Sequence, residues 1–100
     1  MYVILWRFRA KPDRIEAFEE AYGPSGDWAR LFARGEGYLG TELLRDVAAP
    51  GDYLCVDRWT SRGAFDAFRA AHREVYEALD ARCTALTEEE VPVGAFEAIG

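Results

Sequence analysis

A chain of 100 residues, half of them hydrophobic, suits one domain built around one core. Its formal charge of −6, with arginines scattered among carboxylates, argues against a nucleic-acid or anionic-membrane surface. Cys55 and Cys83 show neither metal spacing nor a CxxC pair and read as reduced thiols, which points to a cytoplasmic location.

The opening run MYVILWRFRA is too short for a membrane span and has no signal-peptide flanks, so it reads as a strand from Tyr2 to Ala10. Tyr2, Ile4, Trp6, Phe8 and Ala10 share one face; Val3, Leu5, Arg7 and Arg9 share the other. Both faces begin apolar, which predicts a central strand covered on both sides. Pro12, Asp13 and Glu16 open a helix whose buried stripe is Ile15, Phe18 and Tyr22. Gly23-Pro24 ends it, and Ser25 is placed to cap a short second helix carrying Trp28, Leu31 and Phe32. A second strand spans Tyr38 to Val47 and a third Tyr53 to Thr60. The Ala49-Pro50-Gly51-Asp52 turn joins them as an antiparallel hairpin. Ser61 is the predicted N-cap of one long helix, Arg62 to Leu86, with the stripe Phe65, Phe68, His72, Val75, Leu79, Cys83 and Leu86. Glu88-Glu89-Glu90 reads as a solvated helix end, and Val91 to Ile99 as a last strand carrying Phe96.

Strand, helix, strand, strand, helix, strand is the split βαβ, ferredoxin-like α+β pattern, with helices on one face of an antiparallel sheet. The whole of residues 1–100 then forms a single domain. Alternate residues on the uncovered face are also apolar, and face-to-face pairing with a second copy would bury them. A homodimer through the sheet faces is therefore expected. Aromatic residues make up 14% of the chain, more than a thin two-layer core absorbs, so some should line a cavity or an interface.

Three segments carry a family resemblance. They are Gly37-Tyr38-Leu39-Gly40-Thr41-Glu42-Leu43-Leu44-Arg45-Asp46, then Tyr53-Leu54 leading to Asp57-Arg58-Trp59, then Ser61 with Ala64-Phe65. Together they resemble the antibiotic biosynthesis monooxygenase superfamily of dimeric α+β barrel proteins. That resemblance implies the fold, a homodimer and, for some members, cofactor-independent oxygenation of a small aromatic or quinol, with no cofactor. It also implies departures. Where many active members carry His or Trp, nine residues beyond the strand-ending Trp59, this chain has Phe68. Where haem-degrading members carry their ligating His it has Ala78, and it contains no asparagine, which disfavours haem degradation.

His72 is the only histidine and falls on the predicted buried stripe. It reads either as a hydrogen-bonded core residue or as a general base or donor in a pocket between helix and sheet. Trp59 reads as a core anchor or as a pocket wall, with Trp6, Tyr22, Trp28, Phe68 and Tyr76 as further candidates for binding a small aromatic ligand. Asp57 alternates onto the side of Cys55 and Trp59, and Glu42 onto that of Tyr38 and Leu44. Both are expected in ion pairs with Arg7, Arg9 or Arg58 at the rim of a sheet–sheet interface, with an arginine holding an anionic substrate as the alternative. No metal-ligand cluster, phosphate loop or nucleophile elbow appears. An oxygenase, a non-catalytic small-molecule binder and a dimeric interaction module all remain open, because function lives in the site rather than the fold.

Overall fold

The computed structural model describes residues 1–100. Strands β1 (Tyr2–Ala10), β2 (Tyr38–Arg45), β3 (Asp52–Trp59) and β4 (Thr87–Glu97) form one sheet in the order β2-β3-β1-β4, with every neighbouring pair antiparallel. Helices α1 (Ile15–Tyr22) and α2 (Asp27–Phe32) connect β1 to β2, and α3 (Arg62–Ala71) and α4 (Arg73–Cys83) connect β3 to β4. All four pack on one sheet face, so the predicted ferredoxin-like α+β architecture is present, and β1 is central as its apolar start requires. No helix is long and apolar enough to cross a membrane.

The core lies between this face and the helices. Phe8, Ala10, Tyr53, Cys55 and Trp59 rise from the sheet to meet Phe18, Tyr22, Trp28, Leu31, Phe32, Phe68, Leu79 and Cys83. Trp59 and Phe18 are fully buried. Rings touch in a continuous series; Trp59 alone packs on Phe32, Tyr38, Phe65 and Phe68. Each such pair contributes about 0.5–1.5 kcal/mol beyond the area it buries. The indole N–H groups of Trp28 and Trp59 are buried without hydrogen bonds. Each costs about 1–3 kcal/mol, so it is ring packing that holds these side chains in place.

The local signals divide. Ser61 caps α3 as predicted, its hydroxyl accepting from the Ala64 N–H at 3.1 Å. Ser25 does not cap α2; that position falls to Gly26, where a Cβ would lie 2.2 Å from the Glu20 carbonyl oxygen. Only glycine lets the α1–α2 corner close this tightly. The predicted long helix is broken at His72, whose φ of −121° and ψ of 30° end α3 and start α4. The break rotates the stripe: Val75 turns outward, and Tyr76, Leu79 and Cys83 turn in. Glu88, Glu89 and Glu90 belong to β4 and not to a helix end. They are tolerated there because β4 is an edge strand whose side chains reach solvent, and Glu89 approaches Arg9 at 3.8 Å. Pro92 sits on the same edge strand, where it need not donate to a further neighbour.

On the uncovered face, Val3, Leu5, Leu54, Val56, Leu44, Val91 and Phe96 form an apolar field. Leu44, Val91 and Phe96 are 45%, 47% and 49% exposed. One end of the field carries ion pairs: Arg7 with Asp46 (2.6 Å) and Asp52 (3.2 Å), and Arg9 with Asp52 (2.9 Å). Arg58 pairs with Glu42 on this face.

Candidate active site

A cavity of about 270 Å³ opens between the sheet and the helices. Its floor is Trp6 and Phe8 of β1 with Cys55 and Asp57 of β3. Its walls are Tyr22, Trp28, Phe32 and Tyr76, and the exposed side chains of Arg69, Asp80 and Glu90 stand at its mouth. The Trp28 and Tyr76 rings meet edge to face at 5.0 Å, and the Arg69 guanidinium lies 3.9 Å above the Tyr76 ring. The walls therefore suit a flat aromatic ring, with the charged groups confined to the floor and the mouth.

Asp57 is the exceptional group. It is 7% exposed, forms no ion pair, and accepts one side-chain hydrogen bond, from the Thr41 hydroxyl to Oδ1 at 2.6 Å. The Tyr38 hydroxyl lies 2.6 Å from Thr41 Oγ1. Because the single Thr41 proton is committed to Asp57, Tyr38 is the donor in that contact. Burial pushes the Asp57 carboxyl up to about 6 from its ordinary 3.8, against the opposing pull of the Thr41 hydrogen bond. Burial likewise raises the neighbouring groups: the Cys55 thiol, which also feels the Asp57 charge, and the Tyr22 and Tyr76 phenols. Cys55 is thus a protonated thiol at neutral pH, and Asp57 is the one floor group that exchanges a proton in that range. Potential metal ligands do not gather in groups of three anywhere in the chain.

Of the side chains expected to form a site, Trp6, Tyr22, Trp28 and Tyr76 line this cavity. Trp59 and Phe68 do not; they lie behind it in the core, 0% and 2% exposed. His72 sits at the α3–α4 junction with its ring 5.1 Å from Phe68 and is not among the lining residues. Asp57, expected in an ion pair at an outer rim, is instead inside with no arginine beside it. Glu42 does pair with Arg58, but it shares no face with Tyr38, because Leu39 is an extra residue between Tyr38↔Trp59 and Gly40↔Arg58. Sequence reasoning also passed over Phe8, Phe32, Cys55, Arg69, Asp80 and Glu90 as lining residues. For Asp57 the available signal was its parity with Cys55 and Trp59, which puts a carboxylate on an otherwise apolar strand face.

The chain belongs to the antibiotic biosynthesis monooxygenase family, whose family model matches residues 1–78. No protein with a curated description matches it. Among solved structures it is similar to SnoaB, a cofactor-independent oxygenase from Streptomyces nogalater, at 24% identity and a TM-score of 0.71, covering 99% of this chain and 93% of that one. It is also similar to Rv0793 from Mycobacterium tuberculosis, at 16% identity and a TM-score of 0.70, covering 99% and 95%. These likenesses extend the common fold through α4 and β4, beyond the span of the family model.

Proposed function

We propose that the protein is a cofactor-independent monooxygenase of a small hydroxylated aromatic or quinol, with Asp57 as its general base. The observation that carries this reading is a single buried carboxylate, without a cation, on the floor of an aromatic-walled cavity. The family assignment and the likeness to SnoaB support the same reaction class. An aromatic ring seated among Trp6, Trp28 and Tyr76 would bring an activated C–H or O–H group toward Asp57 Oδ2, the oxygen Thr41 leaves free. Asp57 takes the proton, and the electron-rich anion reacts with dioxygen to form a C–O bond and a peroxide anion. Asp57 returns the proton to the peroxide. At an activated CH₂ carbon, loss of the second C–H proton then breaks the O–O bond and gives a carbonyl and water. Substrate CH₂ plus O₂ thus becomes C=O plus H₂O, and the electrons come from the substrate alone. A base poised near neutrality suits both the uptake and the return of the proton.

The test is oxygen consumption with a panel of hydroquinones and hydroxylated polycyclic aromatics, comparing wild type with Asp57→Asn. Uptake above the spontaneous rate that disappears in the variant supports the reading. Binding of the panel without uptake by wild type would make the protein a small-molecule binder, and equal uptake by both forms would remove Asp57 from the mechanism.

We further propose that the uncovered sheet face pairs with that of a second copy. The exposed Leu44, Val91 and Phe96 and the ion-paired arginines beside them support this, since an apolar field of this kind on one face is unusual for a monomer.

A further inference from the structure

From the bulge at Leu39 and the hydroxyl chain it creates, we infer that Thr41 and Tyr38 are positioning residues that hold the Asp57 carboxylate ionised and aim its free oxygen into the cavity.

In a regular strand, residues three apart point to opposite faces. Tyr38 and Thr41 nevertheless share the helix-covered face. Tyr38 is opposite Trp59, Gly40 opposite Arg58 and Thr41 opposite Asp57, so β2 holds one residue more than β3 over this stretch. Gly40 takes φ +148°, a conformation that a side chain would strain, and this lets the extra residue be absorbed. The bulge has one clear chemical result. It turns Thr41 inward beside Asp57 while leaving Tyr38 within 2.6 Å of the Thr41 hydroxyl. Without it, one of the two would face away.

The arrangement answers an electrostatic need. The groups able to carry charge around Asp57 are Tyr22 on α1, Tyr38 on β2, Cys55 on β3, Arg69 on α3, Tyr76 and Asp80 on α4, and Glu90 on β4. None forms an ion pair with it, and Arg69 is stacked on Tyr76. The only group stabilising the anion is the Thr41 hydroxyl, itself polarised by the Tyr38 hydroxyl behind it. A hydrogen bond to the charged form lowers a carboxyl pKa, so removing it should raise the midpoint. Occupying Oδ1 also leaves Oδ2 as the oxygen that meets a ligand. Thr41 is 7% exposed, and neither Thr41 nor Tyr38 lines the cavity, so a ligand need not displace the hydroxyl chain.

The catalytic consequence rests on the role proposed for Asp57, but the test can be made on the ligand-free protein. Asp57 would be titrated by carboxyl-carbon NMR in protein labelled at aspartate, with Asp57→Asn identifying its signal. Thr41→Val keeps the shape and β-branching and removes the hydroxyl; its Asp57 midpoint should rise by about one pH unit. Thr41→Ser should restore it, and Tyr38→Phe should give a smaller rise in the same direction. If the substrate panel is turned over, the acid limb of kcat/KM should move by the same amounts in the same order. An unchanged midpoint in folded Thr41→Val overturns the inference whether or not any turnover is found. Should Thr41→Val fail to fold, Tyr38→Phe decides: a wild-type midpoint there, with Thr41→Ser also unshifted, rules out the relay of hydroxyls. Shifted midpoints in a protein that consumes no oxygen would uphold the positioning role and reject the oxygenase reading alone.

Discussion

Two aspartates on β3, five residues apart, define the two faces of this molecule. Asp52 lies on the uncovered face, where Arg9 foremost, and Arg7, hold its carboxyl below the ordinary range. Asp57 lies on the helix-covered face, where burial holds its carboxyl above it with one hydroxyl as its only partner. The odd separation puts them on opposite sides of the sheet. The contrast teaches that a strand carboxylate is structural where cations reach it and chemically available where they do not. The uncovered face spends its charge on pairing; the cavity floor keeps one charge free.

The largest difference between the two faces is expected at Asp57. Asp57→Asn should lower kcat by about 100-fold or more, the usual contribution of a positioned base. Asp52→Asn, tested in parallel by the same oxygen-uptake assay, should leave turnover within a few-fold. Equal losses in the two variants would erase the distinction between the faces. On the opposite face, Val56→Arg places a charge in the centre of the proposed sheet–sheet contact. It should weaken self-association by about 2 kcal/mol or more, roughly thirty-fold in Kd, read by sedimentation across a concentration series. A wild-type mass of one chain at micromolar concentration would remove the pairing proposal outright.

Unfolding as a function of pH sharpens the contrast, because the two faces carry opposite signs. For Asp57 the folded value, about 6, exceeds the ordinary 3.8. The folded state therefore binds more protons between these limits, and its stability falls as pH rises from about 4 to 6, by about 3 kcal/mol in all. Asp57→Asn should abolish that slope. Asp46 and Asp52 have lowered folded values. Their contribution is present above the ordinary carboxylate range and is lost as pH falls below it. Thermal melts of wild type, Asp57→Asn and Asp52→Asn between pH 3 and 8 separate the two slopes. The smallest effect should come from His72→Ala. This residue lies outside the cavity lining, so turnover should stay within about twofold and stability within about 0.5 kcal/mol. A large loss of oxygen uptake in this variant would return His72 to the site.

Much of the fold was legible along the chain because it rests on local chemistry. The alternation of β1, the Ala49–Asp52 turn and the Ser61 cap each act over a few residues, and the element order follows from them. The site was only half legible. Trp6, Tyr22, Trp28 and Tyr76 were expected as binding residues and converge on one cavity. Trp59 and Phe68 have the same composition and periodicity but fall behind it, since apolar patterning marks a buried side chain without saying whether it meets a void or another ring. Both readings of His72, core residue or pocket base, place it on the stripe of one continuous helix, and its own backbone breaks that helix.

Periods of 2.0 and 3.6 residues dictate which side chains share a surface, and they are enough to specify a helix-covered antiparallel sheet with an apolar opposite face. They also place Asp57 on the same strand face as Cys55 and Trp59. That this face looks into a cavity, that no arginine pairs with Asp57 and that Thr41 bonds to it emerge only once the strands and helices are packed together. The Thr41 contact depends on one inserted residue at Leu39, and the Tyr76 wall on one helix break at His72. Each shifts the phase of everything beyond it, and neither carries a signal stronger than a glycine or a polar residue in a run of pattern.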